Sequence, residues 1–154
     1  MTSDSPAGEL FIRPIEPDDA GAAAGLALQL GYARPAGAVR QWIESLAASK
    51  DQAAFVACLN TQVVGWIEVS VQRHLQSAPY ALISGLVVRE GVRGKGIGRL
   101  LCQRAEQWGW DHGVGAVRVT SRSTRGDAHR FYLEGGYRET KTSLVFEKTR
   151  AVSE

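Results

Sequence analysis

Residues 81–99 read ALISGLVVREGVRGKGIGR, an almost uninterrupted apolar run followed by glycines that alternate with other residues among positive charges. The run ALISGLVV is typical of a buried strand, and the apolar spacing from Ile97 onward indicates an amphipathic helix. The glycines therefore lie at a strand-to-helix junction. Glycine-rich segments also occur as flexible, solvated loops, but a position between two buried elements favours a binding role.

The chemistry of this junction suits an anion. The first backbone N–H groups of a helix have no intrahelical acceptor and lie at the positive end of the peptide dipoles. Gly94, Gly96 and Gly98 lack the Cβ atoms that would keep phosphate oxygens away, and glycine permits positive φ. Arg93, Lys95 and Arg99 add charged donors at the same place. We predict that the junction binds a pyrophosphate.

Two common nucleotide-binding motifs do not match the junction. A P-loop requires GxxxxGK[ST], which is absent here. The dinucleotide fingerprint requires GxGxxG with an acidic residue on the next strand, whereas this chain has GxGxG and no acid at that place. The sequence therefore argues against both nucleotide-binding folds.

The bulk properties are those of one globular domain. The chain has 154 residues, 44% of them hydrophobic and 22% charged, which is enough for a single core. We expect one domain over residues 1–154, with an ordered core at about 9–148. No run reaches the ~18 apolar residues of a membrane span. The start MTSDSPAGEL lacks the features of a signal peptide, so a cytoplasmic protein is expected.

The charge is unevenly distributed along the chain. The formal net charge is +2, but residues 89–130 hold nine Arg or Lys against four acids, leaving +5 there and −3 elsewhere. A local excess of positive charge suits an anionic ligand, whether a phosphorylated cofactor, a nucleic acid or an anionic membrane. Charge alone does not choose among them.

The two cysteines are expected to be structural. Cys58 and Cys102 lie in apolar contexts without a CxxC pair or a histidine at metal-ligand spacing. Buried free thiols are therefore the preferred interpretation, and no metal site is predicted.

The apolar patterning predicts the order β, α, α, β, β, β, α, β, α, β, β. A two-residue turn at Asn60 and Thr61 joins a hairpin, Gly113 ends the helix after the junction, and the last two strands lie near YRET and SLVFEK. Such an order implies an α/β (α+β) fold, a mixed sheet with helices packed on its faces.

Three segments in this order resemble the GNAT superfamily of N-acetyltransferases. RGKGIG at 93–98 is similar to its [RQ]xxGx[GA] signature, LVV to its fourth strand, and DAHRFYLEGGY to its AxxxY…GY segment. AVRVTS resembles the fifth strand, which splays from the fourth. The resemblance covers nearly the whole chain and implies a mostly antiparallel mixed sheet with splayed central strands and helices on both faces.

The resemblance also implies a co-substrate and a reaction. Acetyl-coenzyme A would lie along the splayed strand, and an amine would attack its thioester directly. The implied cofactor-binding residues are Leu86, Val87, Val88, Arg93, Gly94, Lys95, Gly96, Ile97, Gly98 and Arg99. Arg125 stands where many relatives have asparagine, so that asparagine's role is not transferred; the arginine could contact either cofactor phosphate or substrate.

Tyr132 matches the family tyrosine whose hydroxyl approaches the coenzyme sulfur. A phenol with a pKa of about 10 stays protonated at neutral pH and can donate to the leaving thiolate. The alternative is that Tyr132 packs in the core beside Phe131. Because the AxxxY…GY motif matches, the resemblance favours Tyr132 as the general acid.

The general base is open at the level of sequence. A free alkyl amine has a pKa near 10.4, so a base or water chain must remove a proton before attack. Glu68 lies in strand phase with Trp66 and Ser70 and is the tentative candidate, although a solvent-facing carboxylate fits equally well. His74 and His129 are alternatives, and a bound water could replace all of them.

The resemblance places the acceptor site around the first two helices and their connection. Tyr32, Trp42 and Trp66 could line it or belong to the core. The expected partners are acetyl-coenzyme A and an amine; no membrane is expected, nucleic acid is not favoured, and a homodimer is an expectation from the family. The alternative function is a non-catalytic GNAT-like module that binds coenzyme A or nucleic acid.

Overall fold

Five strands form one mixed sheet in the order β1-β2-β3-β4-β5. The computed structural model describes residues 9–92, 94–120 and 126–151. The strands are β1 (Leu10–Pro14), β2 (Gln52–Leu59), β3 (Gln62–Gln72), β4 (Tyr80–Val88) and β5 (Val117–Val119). The helices are α1 (Ala20–Ala27), α2 (Ala36–Leu46), α3 (Ile97–Asp111) and α4 (Gly126–Glu134).

The chain divides into two units, Met1–Thr120 and Ser121–Glu154. The first contains the whole sheet with α1 to α3, and the second contains α4. Each unit is described by itself. The single-domain organisation stays a prediction.

The β2–β3 hairpin turns where the sequence predicted it. Asn60 and Thr61 have φ of 52° and 75°, the pair of positive values that a two-residue turn between twisted antiparallel strands requires. Leu59 and Gln62 close the ladder beside the turn. The hairpin thereby sets which residues of β3 face each side of the sheet.

Helices cover both faces of the sheet, as expected. On one face the Trp66 indole donates to the Ala23 carbonyl of α1 at 3.2 Å. On the other face a Cβ at Gly65 would lie 3.3 Å from Leu101 of α3. The fully buried side chains between the layers include Val56, Val64, Ile67, Val69, Ile83, Ile97 and Leu101.

An ion pair ties β1 to the start of α1. The Arg13 guanidinium donates to both Asp19 oxygens at 2.8 and 2.9 Å, and the Glu16 backbone N–H donates to Asp19 Oδ2 at 2.7 Å. Burial alone raises the pKa of Asp19, but these hydrogen bonds outweigh it, so the net pKa is lowered. The buried carboxylate is thus held in its charged form.

The two final strands predicted near YRET and SLVFEK are absent from the described residues 137–151. This part of the chain contains no strand, and Leu144, Val145 and Phe146 are 79%, 89% and 88% exposed. Strand propensity measures how well a side chain fits a half-buried, paired surface. Without a neighbouring ladder or an apolar layer to cover it, the apolar run alone does not specify a strand.

Among the described helices, none combines the length and apolar character needed to cross a bilayer.

Candidate active site

β4 and β5 separate partway along β4. They pair in parallel only at Ala81, Leu82 and Ile83, whereas β4 continues to Val88. The register with β3 shifts beside this point, because Glu68 pairs with Gly85 and Val69 with Ile83, which leaves Ser84 as the bulged residue. One edge of β4 beyond Ile83 therefore lacks a partner strand among the described residues. This confirms the predicted splay.

The loop after β4 carries a series of positive-φ glycines. Gly91, Gly94 and Gly96 have φ of 88°, 87° and 78°, and a Cβ built on any of them meets no atom within 4 Å. The glycines are thus required by backbone conformation, and the space beside them is open. Lys95 is exposed in the same loop. Arg93, which was also predicted to bind the cofactor, lies outside the described residues.

The loop ends at the start of α3. Gly96 is the N-cap residue, in the left-handed conformation and without a side-chain cap. Within the described residues, no hydrogen bond is found for the backbone N–H groups of Ile97 and Gly98. Gly98 lies inside the first helical turn, so positive φ is required only at Gly94 and Gly96 of the predicted trio. Uncapped amides, open space and basic side chains together fit a diphosphate.

Glu68 is placed on the face of the sheet that α1 and α2 cover. It is half-buried on β3, and the Trp42 indole Nε1 of α2 donates to its Oε2 at 2.5 Å. An indole N–H can only donate, so it fixes one carboxylate oxygen and leaves the other available as an acceptor. The sequence indicated Glu68 as a candidate base and Trp42 as a candidate acceptor-site or core residue. No local pattern predicted that the two side chains form a hydrogen bond.

Trp66 lies beside Glu68 on the same face of β3. A Cβ at Gly85 would lie 2.7 Å from its ring, so only glycine fits opposite the indole. Together with its bond to α1, this contact fixes the Trp66 ring against the widening end of β4. The sequence offered no sign that Gly85 serves this close approach.

The connection between α1 and α2 contains a shallow cavity of about 370 Å³. Its lining is mostly apolar and consists of Ala24, Gly25, Leu28, Ala33, Arg34 and Pro35. Tyr32 and Trp42 are 59% and 43% exposed. These two aromatic residues are therefore accessible to a ligand instead of belonging to the core.

The three histidines differ in their surroundings. His74 is exposed and stacks on Tyr80 with ring centroids 5.6 Å apart. His112 caps the C-terminus of α3, and its two ring nitrogens lie 2.8 and 2.9 Å from the Trp108 and Lys50 carbonyl oxygens. His129 is half-buried on α4. Of the candidate bases in the first unit, Glu68 is the more enclosed.

Tyr132 lies on α4, in the second unit. Its ring makes edge contacts with Phe131 and Tyr137, at centroid distances of 5.2 and 5.8 Å. The Tyr137 N–H donates to the Tyr132 carbonyl at 3.0 Å, which closes the turn after the helix. The ring therefore packs in an aromatic cluster, and its hydroxyl's catalytic role stays a prediction. Arg125 lies outside the described residues.

The buried thiols are free, as predicted. Cys58 and Cys102 are 1% and 0% exposed and form no disulfide. Burial raises the pKa of Cys102 to about 12 and also raises that of Cys58. Both thiols therefore stay protonated at neutral pH. Within the described ranges no cluster of three or more His, Cys, Asp or Glu suited to a metal ion is found.

Two sequence relatives are acetyltransferases by name. An aminoalkylphosphonate N-acetyltransferase of Salmonella typhimurium strain LT2 is 37% identical over 86 residues, covering 55% of this chain and 56% of that protein. An uncharacterized N-acetyltransferase, YhdJ, of Bacillus subtilis strain 168 is 28% identical over 94 residues, covering 61% of this chain and 66% of that protein. The chain thus spans less than two thirds of the length of either relative.

Similarity to a solved structure extends over nearly the whole chain. An aminoglycoside N-acetyltransferase, AAC(6')-Iy, solved in complex with CoA, superposes with a TM-score of 0.84 at 19% sequence identity. The match covers 95% of this chain and 99% of that one. At this identity the likeness establishes the fold.

The family assignment agrees with the geometry. The model of the acetyltransferase (GNAT) family matches residues 23–137, well over half of the chain, including both the splayed strand and the glycine loop. The predicted fold and family are thereby confirmed. The chain belongs to the acetyltransferase (GNAT) family.

Proposed function

We propose that this protein transfers the acetyl group of acetyl-coenzyme A to the primary amine of a small acceptor. The observation that carries the proposal is the unpaired edge of β4 leading directly into the positive-φ glycine loop and the uncapped start of α3. Such an edge can pair with an extended, amide-containing arm, and such a loop can receive a diphosphate.

The chain's own residues divide the work of binding. Leu86 and the N–H of Val88 would bond the pantetheine arm across the open edge, because the backbone of Val87 faces β3 and the Val88 carbonyl accepts from Gln29. The loop from Arg93 to Arg99 would hold the diphosphate. Acetyl-coenzyme A supplies the activated acetyl thioester. Arg125 would contact either a cofactor phosphate or the acceptor.

Glu68 would accept the proton that the ammonium form of the acceptor must lose. Its carboxylate is half-buried, and Trp42 orients one of its oxygens. Proton transfer by a positioned side chain typically contributes 10²–10⁴-fold to a rate. Tyr132 would donate its phenolic proton to the sulfur that leaves as a thiolate.

We favour an acceptor of the aminoalkylphosphonate class. The Salmonella relative named for that substrate class is 37% identical, whereas the aminoglycoside enzyme is alike only at the level of fold. Arg34 supports this choice, because it is exposed in the α1–α2 cavity and forms no ion pair with any residue that the structure describes. A guanidinium there would attract a phosphonate and repel a polycationic aminoglycoside.

The test is release of free thiol from acetyl-coenzyme A in the presence of single amines. An aminoalkylphosphonate, a neutral alkylamine of equal length and an aminoglycoside form the panel. Calorimetry with coenzyme A measures cofactor affinity separately. Absence of both coenzyme A affinity and thiol release would refute the proposed enzyme and favour a non-catalytic module. A module that binds nucleic acid would show salt-dependent retention on DNA. Affinity without turnover would favour the coenzyme A-binding form.

A charge variant tests the acceptor class. Arg34→Gln should raise KM for the phosphonate about tenfold and leave KM for the neutral amine nearly unchanged, since a charged hydrogen bond contributes about 1.5 kcal/mol or more. Arg73→Gln is the control, because Arg73 lies just after β3 and is already paired with Asp51 at 3.6 Å. Equal changes for both amines would refute the phosphonate assignment. The cytoplasmic location and the homodimer stay predictions.

A further inference from the structure

The side chain of Gln29 binds the end of β4 with both ends of its amide. Nε2 donates to the Val88 carbonyl at 3.0 Å, and Oε1 accepts the Glu90 backbone N–H at 3.1 Å. Gln29 lies in the short 3-10 helix Leu28–Leu30 that follows α1, about sixty residues before Val88 and Glu90 in sequence. One side chain therefore connects the acceptor-side helix to the residues that precede the glycine loop.

These two bonds lie on the open edge of β4. The Arg89 N–H donates to Val64 of β3 at 2.7 Å, so residue 89 points toward β3. Because the backbone groups of successive strand residues point to opposite sides, the bonded groups of Val88 and Glu90 point away from β3. That is the side from which β5 has separated.

The pattern of the two bonds is that of a parallel strand. In a parallel ladder, one residue accepts from and donates to partner residues two positions apart, as the Gln29 amide does around Arg89. β5 pairs with β4 in the same parallel sense at residues 81–83. The Gln29 amide therefore forms, at residues 88–90 of β4, the parallel type of pairing that β5 forms at residues 81–83.

We infer that Gln29 is a positioning residue for the co-substrate: it fixes the far end of the open β4 edge and the point from which the glycine loop departs. Residues 88–90 directly precede Gly91, the first positive-φ residue of that loop. With the amide bonded, the loop leaves the strand in one direction. The inference rests on the proposed function, because it concerns where the same molecule binds.

Substitutions of Gln29 distinguish a positioning role from a side chain that only covers the edge of β4. Gln29→Ala should raise the Kd for coenzyme A about tenfold, because two neutral hydrogen bonds are lost. It should alter kcat at saturating acetyl-coenzyme A by no more than about twofold. Gln29→Glu keeps an acceptor for Glu90 but sets a negative oxygen against the Val88 carbonyl. The loss of coenzyme A affinity in Gln29→Glu should be at least as large as in Gln29→Ala, although glutamate has the shape of glutamine.

Gln107→Ala is the matched control. Gln107 donates to Asp111 at 2.9 Å on the exposed side of α3, so this variant should bind coenzyme A as the wild-type protein does. Amide hydrogen exchange gives a readout without ligand: the Glu90 N–H should exchange faster in Gln29→Ala than in the wild-type protein and the control.

The outcomes are distinguishable. Wild-type affinity in Gln29→Ala, retained affinity in Gln29→Glu, or unchanged exchange at Glu90 would each overturn this inference alone. Wild-type protein without any affinity for coenzyme A would overturn the proposed function and the inference with it.

Discussion

Trp42 on α2 donates its indole N–H to Glu68 on β3 at 2.5 Å, across 26 residues of sequence. The bond joins α2 to β3, the strand that pairs with β4. It holds the carboxylate in one orientation without adding charge. In the proposed role of base, a carboxylate held in this way needs no reorganisation before it accepts a proton.

This relationship predicts a graded loss of turnover. Glu68→Gln should lower kcat about 100-fold, since the amide cannot accept the acceptor's proton. Trp42→Phe should lower kcat about tenfold, because the ring is kept but the donor is lost. Neither should change the Kd for coenzyme A. Steady-state kinetics with calorimetry checks this, and Trp110→Phe, an exposed indole on α3, is the control. Equal effects of the two tryptophan variants would contradict the prediction.

The glycine loop predicts a loss of cofactor binding in Gly96→Glu. A Glu side chain would be strained at φ +78° and would project into the open space beside the loop. Its charge would also repel a diphosphate, so the Kd for coenzyme A should rise at least about 100-fold. Calorimetry measures this directly.

A matched control lies at the other end of α3. Gly113 has φ +82° and equally open surroundings, so Gly113→Glu carries the same backbone strain away from the loop. It should lower the melting temperature as Gly96→Glu does while keeping cofactor affinity. A comparable loss of affinity in both variants would indicate that strain alone is responsible.

Tyr132→Phe should separate chemistry from binding. If the hydroxyl protonates the leaving thiolate, kcat should fall about 100-fold, whereas the Kd for coenzyme A should stay within about twofold. Tyr137→Phe, from the same aromatic cluster, is the control and should retain turnover. Equal proportional losses of kcat and affinity in Tyr132→Phe would show that the residue is structural.

The Arg13–Asp19 pair predicts a stability that depends on acidity. The pKa of Asp19 is lower in the folded protein than its ordinary value of 3.8. A lowered folded pKa stabilises the native state fully above the unfolded value. This contribution is lost as pH falls from about 4 through the folded value. Urea unfolding between pH 3 and 7 measures the effect.

Removing the charge should abolish that dependence. Asp19→Asn removes the carboxylate that pairs with the partly buried Arg13 at 2.8 Å and leaves it the more distant Glu16 at 3.9 Å. The change should cost about 3 kcal/mol at pH 7. The cost should shrink on acidification. Asp18→Asn is the control: its side chain is 92% exposed, so the change should be within about 0.5 kcal/mol. A pH-independent cost in Asp19→Asn would contradict the assignment.

Local patterns in the sequence were sufficient for most of the fold. The hairpin at Asn60 and Thr61, the glycine junction and the apolar face of α3 each depend on neighbours within a few residues. Turn conformation, helix capping and strand alternation act over that range. The order of elements from β1 to α4 and the place of the glycine loop could therefore be read before any coordinates.

Tertiary structure alone decided which side chains meet. The bonds from Trp42 to Glu68 and from Gln29 to β4 join residues 26 and about sixty positions apart, and no local pattern encodes such contacts. The same reason explains the error at SLVFEK, where strand propensity was read correctly but the described residues provide no ladder. A strand exists only when another strand satisfies its backbone, and that condition belongs to the fold and not to the segment.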